Sequence, residues 1–155
     1  RRKVITPREG LEATLRALRD GGFRLGVISN IMSRSFVPRI LKEHGVSQYF
    51  EFLVTSSEYR VRKPRRDLFD AAVGLMGIKA GEAAYVGDTI SRDVRGTRAS
   101  GWGLMIQIEN PRIFHKDAKY LNCGYRPDYS VRCLEEIPPI VQQFNTERKE
   151  RGSDS

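Results

Sequence analysis

The sequence contains no apolar run approaching the ~20 residues that a membrane-spanning helix requires. It lacks the basic-then-apolar opening of a signal peptide. Nor does it begin with methionine: residue 1 is arginine, so either the natural start has been removed or the chain is a piece of a longer one. Cysteine is scarce. Cys123 and Cys133 are too few and too far apart for a zinc cluster or a CxxC redox pair. They read as free thiols of a reducing compartment, half-buried as small apolar residues, and a cytoplasmic location is expected. Acidic residues are outnumbered, 19 against 27 Lys and Arg, leaving a formal charge of +8. A basic excess suits nucleic acid or an anionic substrate. Here it is dispersed, and the end clusters Arg1–Lys3 and Arg148–Arg151 read as solvated tails. The middle cluster, Arg60–Arg66, contains Lys63, which has a better use. Internal repeats and low-complexity segments are missing as well. What remains, 155 residues with 39% hydrophobic and 30% charged, is enough for one globular domain with a sizeable core.

Strands and helices alternate. Thr6-Pro7-Arg8-Glu9 has the form of a capped helix start. Leu11, Leu15 and Leu18 share one helical face, and Gly21-Gly22 stops the helix. A strand follows over 23–28, apolar on both alternations, as in a parallel sheet buried on both faces. The pattern then predicts a helix over 35–44, a strand over 52–55 and a loop rich in Ser, Arg and Lys. A helix over 66–76, a strand over 83–86, a short helix over 93–100 and a strand over 103–108 come next. Residues 109–127 have no clear period and read as loop. A short strand over 128–131 and a helix from 137 or 138 to 147 complete the chain, with a frayed polar tail over 148–155. Residues 1–147 therefore form a single α/β domain with a parallel sheet and right-handed crossovers. Ligands of such sheets bind beyond the carboxyl ends of the strands. Three strands end there in Ser29, Thr55 and Asp88.

Gly87-Asp88-Thr89-Ile90-Ser91-Arg92-Asp93 sets two carboxylates five apart, at a strand end and a helix start, with Gly87 for a sharp turn. One or two carboxylates plus a phosphate suit Mg²⁺. Taken alone, the loop is explained equally well by a strand end and a helix cap. Ser29-Asn30 follows a buried strand, where a hydroxyl and backbone N–H groups can hold a phosphate; both residues also serve ordinary turns. Arg62-Lys63-Pro64 precedes a helix and could aim an ammonium at phosphate or carboxylate, although such a loop is more often simply solvated.

Together and in this order, the three elements resemble motifs two, three and four of the haloacid dehalogenase (HAD) superfamily of hydrolases. The flanks, Leu11–Asn30, Lys63–Ala72 and Ala84–Ala99, resemble it too, as does the ending at Pro127-Asp128-Tyr129 and Leu134-Glu135-Glu136. The likeness covers about residues 6 to 145. It implies a Rossmann-like core in which Ser29 and Lys63 are catalytic. Ser29, with Asn30 in support, and Lys63 would bind the phosphoryl group. Asp88 would ligate Mg²⁺, and Asp93 would ligate it or orient its waters. The implied parent is a Mg²⁺-dependent phosphatase acting on a small phosphorylated metabolite through an aspartyl-phosphate. A dehalogenase fits less well, because that chemistry needs no metal. Neither membrane nor nucleic acid is expected as a partner of that enzyme.

The family's first motif, Asp-x-Asp, supplies the nucleophile and the acid/base. The aspartates here stand at 20, 67, 70, 88, 93, 117, 128 and 154, no two of them separated by one residue. The nucleophile and the cap are therefore missing, and this chain alone is expected to be inactive. In the family the first strand lies centrally, between the strands of motifs two and four. Without it these two strands are expected to close up, to receive a strand from a partner, or to lack an N-terminal part that exists elsewhere; a wide gap with nothing in it would exclude all three. The alternative function is a non-catalytic binding or scaffold module for an acidic partner or RNA.

Overall fold

A computed structural model describes residues 5–153. The basic cluster Arg1–Lys3 lies outside them, as does Asp154. Five parallel strands alternate with helices, the α/β order that the sequence predicts. The strands are β1 (Gly26–Ser29), β2 (Phe52–Thr55), β3 (Ala84–Gly87), β4 (Leu104–Ile108) and β5 (Tyr129–Val131). The helices are α1 (Leu11–Asp20), α2 (Phe36–Glu43), α3 (Ser56–Tyr59), α4 (Arg66–Met76), α5 (Arg95–Ala99), α6 (Pro111–Asp117) and α7 (Ile137–Ser153).

Most expected elements appear, with four corrections. Helix α1 starts at Leu11, not near Thr6. Gly10 takes φ 76 there, and a Cβ on it would run into the Glu135 carboxylate, so glycine sets the start. The loop after β2 contains the short helix α3, capped by Thr55 Oγ1, which accepts from Glu58 N at 3.3 Å. The stretch 109–127 is not loop. Asn110 caps α6 with Pro111 in the first turn, and a 3₁₀ segment, Ala118–Cys123, follows. Helix α7 runs to Ser153, so the tail at 148–153 is helical rather than frayed.

The strands form two sheets, β1-β2 and β3-β4-β5. Strands β1 and β3 do not close up: no backbone ladder joins them. The space between them is bridged by a side chain, since the Tyr85 hydroxyl of β3 reaches the Ile28 carbonyl of β1 at 3.4 Å. Exposed edges are the result. Gly26 is exposed, Val27 and Ile28 are only half-buried, and Val86 is 39% exposed in the middle of its strand. The expectation of a β1 buried on both faces fails for this reason.

Side chains tie the two sheets together. Helix α4 packs on β1, β2 and α5. Its Leu68, Phe69 and Ala72 are fully buried with Val54 of β2 and with Tyr85 and Met105 of β3 and β4. Phe69, Tyr85 and Trp102 stack edge-on or tilted at centroid distances of 5.1–5.7 Å. On the opposite face Leu104, Ile106 and Ile108 alternate away from Met105. They pack under Leu18 of α1 and Ile137 and Val141 of α7. The carboxyl ends of β1 and β3 are thus held by a core that spans both sheets, not by a backbone ladder between them.

Candidate active site

At the carboxyl ends of β1 and β3 the expected residues come together in two groups. The first is centred on Asp93, which is 3% exposed. Its Oδ1 accepts from Lys63 Nζ at 2.6 Å and lies 3.4 Å from the Tyr85 hydroxyl. Its Oδ2 accepts from Thr89 N at 3.0 Å and Thr89 Oγ1 at 2.8 Å. Burial alone would raise the pKa of this carboxyl. The Lys63 ammonium and the Thr89 donors outweigh burial, and the net shift is downward. Asp93 therefore anchors Lys63, and both of its oxygens already accept hydrogen bonds.

Gly87 has a different reason from the one expected. Its backbone does not need a left-handed turn. It needs room, because a Cβ there would lie 2.5 Å from both Cγ and Oδ2 of Asp93. The carboxylate folds back onto the strand that carries its own loop. Residues Ile90–Val94 then form a single π-helical turn, with Val94 N bonding to Thr89 O at 3.1 Å.

Tyr85 was not legible as a site residue. Its hydroxyl accepts from Lys63 Nζ at 3.0 Å, and its one proton serves Ile28 O or Asp93 Oδ1. Burial, with the Asp93 charge beside it, holds the phenol pKa well above its usual value, so it remains a donor.

Asn30 binds Lys63 rather than facing outward. Its Oδ1 accepts from Lys63 N at 2.8 Å and its Nδ2 donates to Lys63 O at 3.2 Å. The side-chain amide thereby pairs with the Lys63 peptide like a strand neighbour, across 33 residues. As a phosphate ligand it has little left to offer; as a support for Lys63 it is well placed. The loop that carries it is pinned by Ser56, whose Oγ accepts from Ile31 N at 2.9 Å and donates to Ile31 O at 3.1 Å. Nothing in the sequence singled out Ser56. Ser29 ends β1, half-buried, and its hydroxyl has no partner among the described residues.

Asp88 is the second group. It ends β3, and its side chain is 35% exposed. Its Oδ2 accepts from Asn110 Nδ2 at 2.9 Å, and the Arg8 guanidinium lies 3.8 Å away. Its Oδ1 is unpartnered among the described residues. A free carboxylate oxygen at a strand end fits one ligand position of a hard cation. Among the described residues no cluster of three or more His, Cys, Asp or Glu could complete a metal site. Cys123 and Cys133 are free thiols and play no part. Both are exposed, not half-buried.

Known proteins resemble this chain in sequence and fold. A sequence family described as haloacid dehalogenase-like hydrolase matches residues 1–106. A glyceraldehyde 3-phosphate phosphatase from Methanopyrus kandleri is 28% identical over 140 residues, 90% of this chain and 58% of that protein. A HAD phosphatase structure from Thermococcus onnurineus superposes with TM-score 0.65 at 28% identity, over 83% of this chain and 55% of the other. A putative HAD-hydrolase from Bacillus subtilis, solved bound to magnesium, gives TM-score 0.69 at 20% identity, over 86% and 55%. The chain thus spans little more than half the length of each. Among the described residues no helix is long and apolar enough to cross a membrane.

Proposed function

Since this chain belongs to the haloacid dehalogenase-like hydrolase family, we propose that it supplies the phosphate-binding and metal-loop half of a Mg²⁺-dependent phosphatase acting on a small phosphorylated metabolite. The observation that carries the reading is the placement of Lys63. Its ammonium is fixed between Asp93 and Tyr85, while Ser29 and Asp88 stand at the carboxyl ends of β1 and β3. Phosphoryl transfer is catalysed mainly by positioning and by charge stabilisation. Ser29 would donate to the phosphoryl oxygens and Lys63 would neutralise them. Asp88 would hold Mg²⁺, which lends charge to the phosphate oxygens. Asp93 would keep Lys63 aimed. The attacking carboxylate comes from outside this sequence, because no Asp-x-Asp occurs in it. Phosphatase relatives support a phosphorylated substrate, and the named substrate of the archaeal relative is a small one. The compartment is the cytoplasm, in keeping with two free thiols.

The unpaired edges of β1 and β3 would receive one strand, from an upstream segment of the same protein or from another chain. An exposed mid-strand Val86 and a half-buried Val27 support that pairing. With an aryl phosphate and Mg²⁺, the chain alone should turn over nothing. Joined to an upstream segment carrying Asp-x-Asp it should become active, and Asp88→Asn should abolish that activity. Turnover by the isolated chain that survives Asp88→Asn would contradict the reading.

One observation favours a second reading, a binding module for RNA or another acidic partner. Arg34, Arg60, Arg62, Arg92 and Arg112 follow strand ends and make no ion pair among the described residues, although Arg65 and Arg132, which also follow strand ends, do. RNA binding that falls steeply with salt would support it.

A further inference from the structure

Helix α6 touches the Asp88 loop at both of its ends. At its start, Asn110 uses both halves of one amide. Oδ1 accepts from Arg112 N at 3.2 Å and caps the helix, while Nδ2 donates to Asp88 Oδ2 at 2.9 Å. The two bonds fix which way the amide points, so the cap also sets the rotation of the Asp88 carboxylate. At its end, Asp117 is buried, 6% exposed. Its carboxylate turns back across 26 residues of sequence to accept from Ser91 N at 2.9 Å, and from Ile90 N as well. Those amides open the π-helical turn, and they have no earlier carbonyl to bond. A buried carboxylate accepting two N–H groups is a strong, charge-assisted arrangement. Asp117 lies seven residues from Asn110, so the helix spans about 10 Å between the two contacts. The loop is gripped on both sides of Thr89.

We infer that α6 is a strap that positions the proposed metal loop, with Asn110 orienting the Asp88 carboxylate and Asp117 holding the backbone of Ile90 and Ser91. Neither residue touches substrate; both are positioning residues. Asp88 as the metal ligand is taken from the function proposed above, whereas the grip on the loop stands on the hydrogen bonds themselves. Asp117→Asn keeps the shape but replaces one acceptor oxygen by a donor that faces an N–H. Asn110→Ala removes the contact to Asp88 and leaves Asp117 intact.

The test follows amide hydrogen exchange at Ile90 and Ser91 in the full chain, together with Mn²⁺ affinity by electron paramagnetic resonance, measured with inorganic phosphate present, and the thermal midpoint. In Asp117→Asn, exchange at the two amides should rise about tenfold or more, as loss of a charge-assisted bond implies. Exchange in the β4 core, at Ile106, should stay as it was. Mn²⁺ binding should weaken severalfold in Asp117→Asn and in Asn110→Ala, with the Asn110 variant melting near the parent. Unchanged exchange at Ile90 and Ser91 in a folded Asp117→Asn would overturn the strap whatever the metal does. Looser amides with unaltered Mn²⁺ affinity would also overturn it, reducing Asp117 to a packing residue. If the parent chain binds no Mn²⁺ while the amides loosen as expected, the strap holds and the metal reading of Asp88 fails. A misfolded Asp117→Asn shifts the decision to Asn110→Ala, where unaltered Mn²⁺ affinity counts against the strap.

Discussion

Lys63 and Asp93 form a buried ion pair, Nζ to Oδ1 at 2.6 Å, with 11% and 4% of their side chains exposed. They are 30 residues apart in sequence and belong to different sheets' loops. Charges in such surroundings are kept only when paired, and removing one partner leaves the other uncompensated. Lys63→Met should therefore lower stability by about 3–5 kcal/mol, read from urea unfolding with an unchanged slope. A loss below about 1 kcal/mol would mean that the pair is solvated.

Acid should act through the same pair. The Asp93 carboxyl titrates below its usual range in the folded chain, because Lys63 and Thr89 outweigh its burial. A depressed folded pKa contributes stability that is fully present above the unfolded value of about 4 and is lost as pH falls through the lower folded value. Asp93→Asn should remove that part of the stability–pH slope below about pH 4. An unchanged acid limb would assign it to other carboxylates.

Gly87→Ala puts a methyl group against Asp93 Cγ and Oδ2, both at 2.5 Å from the new atom. Either the strand end or the carboxylate must move. A cost of about 1–3 kcal/mol is expected. The Lys63→Met penalty should shrink in the Gly87→Ala background, since the pair is already loosened. Full additivity in a double-mutant cycle would show that the methyl group is accommodated elsewhere.

Asn30→Ala deletes both bonds to the Lys63 peptide. Two part-buried neutral bonds are worth about 1–3 kcal/mol together. In a catalytically complete protein the same change should lower kcat more than it raises KM, because Lys63 is displaced rather than lost. A pure KM effect would restore Asn30 to the role of phosphate ligand.

Phe69→Ala should be among the most costly core changes, about 3–5 kcal/mol. The ring is fully buried, lies against Gly96 and stacks on Tyr85 and Trp102. Because it bridges the two sheets, exchange of β1 and β3 amides should rise together. Exchange that rises in β1 alone would indicate that the sheets are not joined through this ring.

Strong local periods made much of the fold legible. Strand 52–55 and helix 66–76 fall where the sequence put them, with Gly77 at φ 65 closing the helix. Thr6-Pro7-Glu9 had the form of a helix start, but Gly10 next to Leu11 decided the boundary through its left-handed backbone. Helix α6 escaped notice because it carries little apolar pattern and Phe114 points outward, 53% exposed. Its Asn110-Pro111 start was the one usable signal. Ser29, Asn30, Lys63, Asp88 and Asp93 stood out through the resemblance of their three motifs, taken in order, to the family. Their division of labour did not, because it depends on contacts between residues tens of positions apart. Tyr85, Ser56 and Asp117 act only through such contacts and leave no local trace.

The occupied oxygens of Asp93 bear on charge balance at Asp88. A divalent ion brings two positive charges, and this loop meets it with one negative charge, because the other is already cancelled by Lys63. Arg8 draws on that remaining charge from 3.8 Å. Neutrality at Asp88 then requires a contributor from beyond the loop, whether a phosphate or a second carboxylate. On the proposed reading, a cation settles there only in company, and its residence reports that the other party has arrived.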